Sequence, residues 1–234
     1  MSKRGLLIAV SGVDGSGKTT VISMLMRILS DKYGIDKGKV IYVWCKYEYK
    51  LIKPLTVLGR IIFLRNSDPL KNYNDYCKKR KSIFRNPLVA RMYRVLMDID
   101  YAFQILINIK IPLLLNKIVI CDRYIIDTAL ELYFDYDLEI EDIVDIINKY
   151  YKRMAPKPDI QLILDIDEEE AMRRKNDVPH IDYIRERRYL YNSLAGKLNI
   201  NVLYNDTLEK AEQIAHYLAD KIFALLKQYQ QSYG

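Results

Sequence analysis

One short segment near the amino terminus constrains the fold of this chain more than any other feature. Residues 12–19 read GVDGSGKT and match the spacing G-x-x-x-x-G-K-[ST] at every fixed position. An apolar run at residues 4–11 precedes the segment, and apolar residues with a helical period follow it over residues 20–33. A strand, a glycine-rich loop and a helix in this order surround an anion with backbone N–H groups and a positive helix end. The segment therefore predicts a phosphate-binding loop.

The residue types in this loop suit a nucleoside triphosphate. Its glycines lack a Cβ atom, so the backbone can adopt positive φ angles and turn its N–H groups inward. The Lys18 ammonium can lie between the β- and γ-phosphates, and the Thr19 hydroxyl can bind Mg²⁺. We predict that the triphosphate contacts Gly12, Val13, Asp14, Gly15, Ser16, Gly17, Lys18, Thr19 and Thr20.

Composition favours one compact enzyme domain. The 234 residues are 50% hydrophobic, and no glycine-, serine- or proline-rich linker divides them, so we predict a single domain over residues 1–234. The three widely spaced cysteines favour a reducing, cytoplasmic location over a disulfide framework or a zinc site. With two histidines, a histidine-based metal site or catalytic triad is not expected. Charged residues and a proline interrupt the apolar stretch at residues 103–121, so no membrane span is predicted.

The net charge of +7 admits two interpretations. The basic run at residues 78–81 lies near tyrosines, a pattern found on nucleic-acid-binding surfaces. We favour a solvated basic loop and do not expect a nucleic-acid partner, because the tyrosines are scattered and form no recognisable RNA-binding motif. A site for two anionic nucleotides also needs positive charge around it.

Strand and helix patterns alternate along the chain. The predicted strands cover residues 4–11, 39–44, 117–122, 159–166 and 201–204. The predicted helices cover residues 20–33, 51–65, 87–115 with a bend near Pro112, 139–153, 167–175 with a capping box of Asp167 and Glu170, 183–198 and 208–229. Residues 66–81 read as a polar loop. This alternation predicts an α/β fold with a parallel sheet, helices on both faces, and ligands at the carboxyl ends of the strands.

A second candidate site lies at the end of the third predicted strand, where residues 121–124 read CDRY. Asp122 can hold Mg²⁺ or its water shell beside the loop threonine, and Arg123 can reach phosphates from the same edge. The alternative is structural: a strand-ending aspartate capped by local N–H groups, followed by an exposed arginine.

A third cluster is basic and lies at Arg173, Arg174 and Lys175, before a proline-bearing stretch. We predict a short lid over about residues 173–184. Guanidinium groups from a closing lid can stabilise the negative charge of a transferring phosphoryl group, so at least one of Arg173 and Arg174 is a candidate catalytic residue. Cations at a helix carboxyl end are also favourable for the helix dipole alone.

Together these segments resemble the thymidylate kinase family of P-loop nucleoside monophosphate kinases. The resemblance rests on GVDGSGKTT, VICDRY, PDIQLILDIDEEEAMRR and NVLYNDTLEKAEQIAHYL, and it covers most of the chain. It implies a P-loop NTPase-type five-stranded parallel sheet, Mg-ATP as donor, a nucleoside monophosphate as acceptor, and often a homodimer, for which the apolar long helix is suited. It further implies that Asp14 faces the acceptor, that Arg123 contacts phosphate, and that Asn205, Asp206 and Thr207 line the adenine pocket.

The acceptor side departs from the family pattern. Residues 44–49 read WCKYEY where the family has REPGGT, and the usual Asp-Arg pair of the long helix is displaced or lost around residues 100–102. The DRY segment continues to Asp127 as D-R-Y-x-x-D. We predict that the acceptor phosphate is bound by Arg91, Arg94, Lys46 and Arg60, in falling order. The acceptor expected first is dTMP, and the alternatives are another nucleoside monophosphate, a deoxynucleoside, or no acceptor at all in a non-catalytic ATP-binding module.

Overall fold

The structure is a computed structural model that describes residues 4–45, 53–54, 78, 82, 85–136, 138–175 and 180–231. Several predictions therefore fall outside the described residues. They are the helix over residues 51–65 apart from positions 53–54, most of the polar loop over residues 66–81, and the acceptor candidates Lys46 and Arg60.

The core of the fold is a five-stranded parallel sheet with the order β2-β3-β1-β4-β5. The strands are β1 Leu7–Gly12, β2 Val40–Trp44, β3 Ile118–Asp122, β4 Ile160–Asp165 and β5 Asn201–Tyr204. In the register, Val10 of β1 lies opposite Asp122 of β3, and Gly12 lies opposite Leu164 of β4. The carboxyl ends of the three central strands therefore meet at one edge, and the predicted α/β fold is confirmed.

Helices cover the sheet and connect its strands. They are α1 Lys18–Asp31, α2 Pro87–Ile105, α3 Ile111–Leu114, α4 Ile125–Tyr136, α5 Ile140–Arg153, α6 Glu168–Arg174, α7 Ile181–Leu198 and α8 Leu208–Gln231. A π-helical turn, Leu106–Lys110, joins α2 to α3, and a 3₁₀ turn, Lys37–Lys39, precedes β2. None of the described helices is long and apolar enough to cross a bilayer.

The sheet separates two apolar clusters, as expected for strands buried on both faces. Alternate residues of β1 supply each cluster: Ile8 and Val10 pack with α1 and α8, and Leu7 and Ala9 pack with α2, α4, α5 and α7. The β1 residues are fully buried, so the loop that follows them starts from a rigid strand.

The observed helices differ from the sequence predictions in three places. The helix predicted over residues 87–115 changes to π-helical hydrogen bonding just before Pro112, whose ring has no N–H to donate. Helix α4 was not predicted, because residues such as Ile125, Ile126 and Ala129 are all buried and leave no amphipathic period. The predicted capping box is wrong: Asp167 occupies the N-cap position, but its side chain makes no capping hydrogen bond to the helix.

Candidate functional site

The glycine-rich loop has the backbone conformation that its sequence predicts. Gly15 and Gly17 have φ angles of 85° and 81°, in the left-handed region that favours glycine. A Cβ at Gly15 would lie 2.5 Å from the Ala171 carbonyl oxygen, and one at Gly17 would lie 2.5 Å from Asn205 Nδ2. The loop is thus packed directly against α6 and the segment after β5, so larger residues at these positions would move it.

Lys18 is the first residue of α1, and its side chain is folded back into the loop. Its ammonium donates to the carbonyl oxygens of Gly12 at 2.9 Å and Val13 at 2.7 Å. Burial and the positive charge of Arg123 lower the pKa of Lys18 to about 7, although the carboxylates of Asp122 and Asp14 oppose that shift. It also donates to Ser16 Oγ at 3.3 Å. A buried ammonium held only by neutral oxygens of its own loop is well placed to bind phosphate oxygens instead.

Thr19 and Asp122 lie together, as the sequence predicts for a metal site. The Thr19 hydroxyl donates to Asp122 Oδ2 at 2.9 Å, and the Tyr42 hydroxyl donates to the same oxygen at 3.2 Å. Asp122 Oδ1 is buried and has no hydrogen-bond partner among the described residues. An orphaned carboxylate oxygen beside a threonine hydroxyl fits Mg²⁺, which is bound by few protein oxygens when phosphates and water supply the rest.

Arg123 is buried, which rules out the alternative of an exposed arginine at this strand end. Its φ angle of 72° is unusual for a residue with a side chain. The guanidinium donates to Asp14 Oδ1 at 2.6 Å through Nη2, and to Asp127 Oδ1 at 3.1 Å and Gly12 O at 3.3 Å through Nη1. The arginine therefore bridges the loop and helix α4 at the edge of the site.

Asp127 was not assigned a role from the sequence, although its D-R-Y-x-x-D spacing was visible. Its side chain is buried, and besides Arg123 it accepts hydrogen bonds from Ser11 Oγ at 2.6 Å, Tyr124 N at 2.9 Å and Tyr191 OH at 2.6 Å. Arg123 lies two residues before α4 and Asp127 lies in its first turn, and this four-residue spacing is the signal that identifies the pair.

A cavity of about 780 Å³ opens at the carboxyl edge of the sheet. Its lining residues are Asp14, Gly15, Gly17, Lys18, Thr19, Thr20, Trp44, Asp122, Arg123, Arg174, Lys175, Tyr183, Asn205, Thr207, Leu208 and Ala211. This volume lies within the range of small-molecule and cofactor sites. The loop, the CDRY segment and the basic cluster are far apart in the sequence, and the structure shows that all three line this cavity.

The two ends of the predicted lid meet at Asp14. Lys175 Nζ lies 3.3 Å from Asp14 Oδ1, and the Tyr183 hydroxyl donates to Asp14 Oδ2 at 3.4 Å. Burial opposes ionisation of Asp14, but the charges of Arg123, Lys18 and Lys175 outweigh it and hold the pKa of Asp14 well below its usual range. Of the residues between these ends, 176–179 lie outside the described part of the chain.

The two arginines of the basic cluster differ in position. Arg174 lines the cavity and donates to the carbonyl oxygens of Asn205, at 3.1 Å, and Asp206. Arg173 has a side chain that is 77% exposed and pairs with Glu170 at 2.7 Å. The geometry therefore brings Arg174, and not Arg173, to the described cavity wall.

The segment after β5 reaches the loop through one buried side chain. Asn205 is fully buried, and its Nδ2 donates to the Ser16 carbonyl oxygen at 2.7 Å. Thr207 also lines the cavity, whereas Asp206 pairs with Lys210 at 2.8 Å and is absent from the lining. Two of the three residues predicted for the adenine pocket are thus on the cavity wall.

The predicted acceptor cations are not at this cavity in the described part of the chain. Arg91 and Arg94 lie on α2, exposed and half-buried respectively, and neither is among the lining residues. On that side of the sheet the described wall includes Trp44, at the carboxyl end of β2 and opposite Asp122 in the register. The four acceptor assignments therefore stay predictions.

Comparisons with known proteins identify thymidylate kinases as relatives of this chain. The chain is 26% identical over 189 residues to a thymidylate kinase of Mycoplasmoides gallisepticum, covering 79% of this chain and 77% of that protein. It is 27% identical over 195 residues to a thymidylate kinase of Ehrlichia chaffeensis, covering 80% and 81%. It is also 27% identical over 173 residues to a probable thymidylate kinase of Pyrococcus horikoshii, covering 73% and 70%.

A solved structure confirms the fold. The crystal structure of thymidylate kinase from Ehrlichia chaffeensis matches with a TM-score of 0.51 and 22% sequence identity, covering 93% of this chain and 98% of that chain. No family model matches the sequence. The chain therefore shares the fold of that kinase and has diverged from its relatives in sequence.

Proposed function

The chain is a divergent relative of the thymidylate kinases, and we propose that it transfers the γ-phosphoryl group of ATP to a nucleoside monophosphate. The acceptor we propose first is dTMP, with dTDP as the product. One observation supports the proposal above the others: Lys18, Thr19, Asp122 and Arg123 converge on one cavity, in a chain whose curated relatives are thymidylate kinases. Such a site serves phosphoryl transfer, which needs positioning and positive charge more than covalent chemistry.

The proposed reaction is a direct in-line displacement. An oxygen of the acceptor phosphate attacks the γ-phosphorus of ATP, the bond to the β,γ-bridging oxygen breaks, and ADP leaves. Lys18 exchanges the carbonyl oxygens of its own loop for β- and γ-phosphate oxygens. Arg123 neutralises the charge that spreads over the transferring group. Asp14, beside Arg123, orients the acceptor.

Thr19 and Asp122 would hold Mg²⁺ in this scheme, Asp122 partly through water. The ion, when bound, would draw negative charge from the β- and γ-phosphate oxygens. The Thr19 hydroxyl would then stop donating to Asp122 and present its oxygen to the ion. The buried, unpartnered Oδ1 of Asp122 supports this assignment.

We further propose that residues 1–234 form one kinase domain with a lid over about residues 173–184. Arg174 and Lys175 serve the lid from its first end, and Tyr183 marks its second end. Arg173 would join the transfer only after leaving Glu170. Closure of the lid excludes water, which would otherwise consume ATP. The donor base lies beside Asn205, Asp206 and Thr207.

The acceptor-binding residues, the location and the assembly of the protein are also proposals. Arg91, Arg94, Lys46 and Arg60 stay our candidates for the acceptor phosphate, and no nucleic-acid partner is proposed. We place the protein in the cytoplasm, with Cys45 and Cys121 as buried free thiols in support. A second copy of the chain is proposed to cover the exposed apolar side chains of α2.

The test is Mg-ATP-dependent ADP release, screened with dTMP, dUMP, other nucleoside monophosphates and thymidine. We expect strong stimulation by dTMP and none by thymidine, with Lys18→Ala as the control for contaminating kinases. Stimulation by a different monophosphate would keep the mechanism and change the acceptor. Stimulation by thymidine alone would make the protein a deoxynucleoside kinase, and ATP binding without any stimulation would make it a binding module.

A further inference from the structure

The two oxygens of the Asp127 carboxylate have different hydrogen-bond partners. Its Oδ2 accepts from Ser11 Oγ at 2.6 Å and from Tyr124 N at 2.9 Å, so that oxygen is attached to the end of β1 and to the turn after β3. Its Oδ1 accepts from Arg123 Nη1 at 3.1 Å and from Tyr191 OH at 2.6 Å. Oδ2 therefore fixes the carboxylate near the carboxyl ends of β1 and β3, and Oδ1 binds the Arg123 guanidinium.

Helix α7 contributes to both carboxylates that hold Arg123. Residues 183 and 191 are eight positions apart and therefore lie on the same face of α7. The Tyr183 hydroxyl contacts Asp14 at 3.4 Å, and the Tyr191 hydroxyl contacts Asp127 at 2.6 Å. The guanidinium lies between these two aspartates, at 2.6 Å from Asp14 and 3.1 Å from Asp127.

Tyr191 also touches Arg123 directly, since Arg123 Nη1 lies 3.4 Å from the Tyr191 oxygen. The tyrosine donates its one hydroxyl proton to Asp127, so its oxygen is available to accept from the guanidinium. All three side chains are buried, where hydrogen bonds to a charged group are strong and a lost partner is costly. Asp127 and Tyr191, which do not line the cavity, therefore orient the Arg123 guanidinium.

We propose that Asp127 and Tyr191 are positioning residues that act through Arg123. They hold its guanidinium against the phosphate-binding loop and make its placement depend on α7. Neither residue lines the cavity, and Arg123 is the cavity residue that both contact. The inference rests on the proposed function in so far as Arg123 takes part in phosphoryl transfer.

The test compares Tyr191→Phe and Asp127→Asn with Tyr151→Phe. The control removes a partly buried tyrosine hydroxyl, one that bonds with Gln161 at 3.1 Å and not with Arg123. We expect kcat to fall about 10-fold in Tyr191→Phe and more in Asp127→Asn, with the KM for ATP changed less than about twofold and the control unchanged. A larger change in the KM for ATP than in kcat would overturn the proposal.

A double-mutant cycle separates positioning from a merely structural role. In an Arg123→Ala background, Tyr191→Phe should cause no further loss of kcat, because the group through which it acts is gone. Losses that multiply would contradict the proposal. Tyr191→Phe removes a single oxygen, so it carries the test if Asp127→Asn does not fold, and its melting temperature checks the fold.

A second readout needs no turnover and keeps this inference distinct from the proposed function. The guanidinium N–H resonances of Arg123, assigned by comparison with Arg123→Lys, should exchange faster with solvent in Tyr191→Phe than in wild type or Tyr151→Phe. Wild-type protein without acceptor-dependent turnover would refute the proposed function and leave this measurement valid. Unchanged exchange in Tyr191→Phe would refute the positioning role.

Discussion

The Lys18 ammonium lies inside the phosphate-binding loop, where it is 7% exposed and donates to two carbonyl oxygens of that loop. Burial removes the ammonium from water and the nearby Arg123 repels it, so the pKa of Lys18 is lowered to about 7. At the scale of the residue, the protein keeps a cation in a place where phosphate is its best partner. The energetic cost of burying this charge is recovered when a triphosphate binds.

Lys18→Ala should therefore lower turnover by roughly 10²-fold or more, the usual loss when one preorganised electrostatic donor is removed. The measurement is kcat with the acceptor found in the screen. Lys32→Ala is the matched control, because Lys32 lies directly after α1 and pairs with Asp220 on the surface. Near-normal turnover in Lys18→Ala would refute the role assigned to this lysine.

At the scale of elements, the short helix α6 directs the side chains of two neighbouring arginines to different surroundings. Both pair with Glu170 at 2.7 Å, but Arg174 also reaches the carbonyl groups after β5, and Arg173 faces solvent. Adjacent residues on a helix point about 100° apart, so one face of α6 serves the cavity and the next serves the surface. The paired motif in the sequence thus contains two unequal residues.

Arg174→Ala should reduce kcat at least about 10-fold, and Arg173→Ala should change it by less than about threefold. Each variant is measured for kcat and for ATP affinity, because loss of affinity alone would indicate ground-state binding. A larger effect of Arg173→Ala would mean that the lid reorganises on closure and brings Arg173 to the phosphates.

Two glycines outside the site test whether backbone conformation governs the stability of these elements. Gly196 is exposed within α7, and a Cβ there would meet nothing within 4 Å, so Gly196→Ala should stabilise the fold by about 0.5–1 kcal/mol. Gly34 is equally open but has a φ angle of 61°, so Gly34→Ala should destabilise it by about 1 kcal/mol. Urea unfolding gives both values, and effects of the same sign would contradict this explanation.

At the scale of the whole molecule, the described surface carries one long apolar stripe, on α2 and the turns that follow it. Its residues have relative exposures between 44% and 69% and are Leu88, Met92, Val95, Ile99, Phe103, Leu106, Ile107, Ile111, Leu114 and Leu115. Apolar side chains at helical spacing along some seven turns are costly to leave in water. The opposite face of α2 packs into the core through Met97, Tyr101 and Ile105.

A homodimer through this stripe should appear as twice the chain mass of 27.6 kDa in light scattering. Val95→Lys combined with Ile99→Lys should convert it to a monomer, because two buried ammonium groups at the centre of an apolar interface cannot be solvated. Tyr189→Lys, at a residue that is 64% exposed on α7, is the control and should leave the mass unchanged. Wild-type protein that stays monomeric at micromolar concentration would refute the dimer.

Local patterns in the sequence determined a large part of this protein. The GVDGSGKT loop, the five strands and the placement of Asp122 and Arg123 at a strand end all follow from local spacings, and the parallel sheet follows from the alternation of strands and helices. Such features depend on backbone conformation and side-chain periodicity, which neighbouring residues largely set. The sequence does not predict helix α4, because residues 125–130 are all buried and therefore show no alternation of apolar and polar faces.

Only the tertiary structure decided which of these residues meet. Asp127 and Tyr191 are 64 positions apart and make contact because the packing of α7 against α4 and the sheet brings them together. The same packing sends Arg174 to the cavity and Arg173 to solvent, and it places Arg91 and Arg94 on a helix away from the described cavity wall. Contacts at such separations depend on sheet order and helix packing, and no local pattern in a single sequence carries that information.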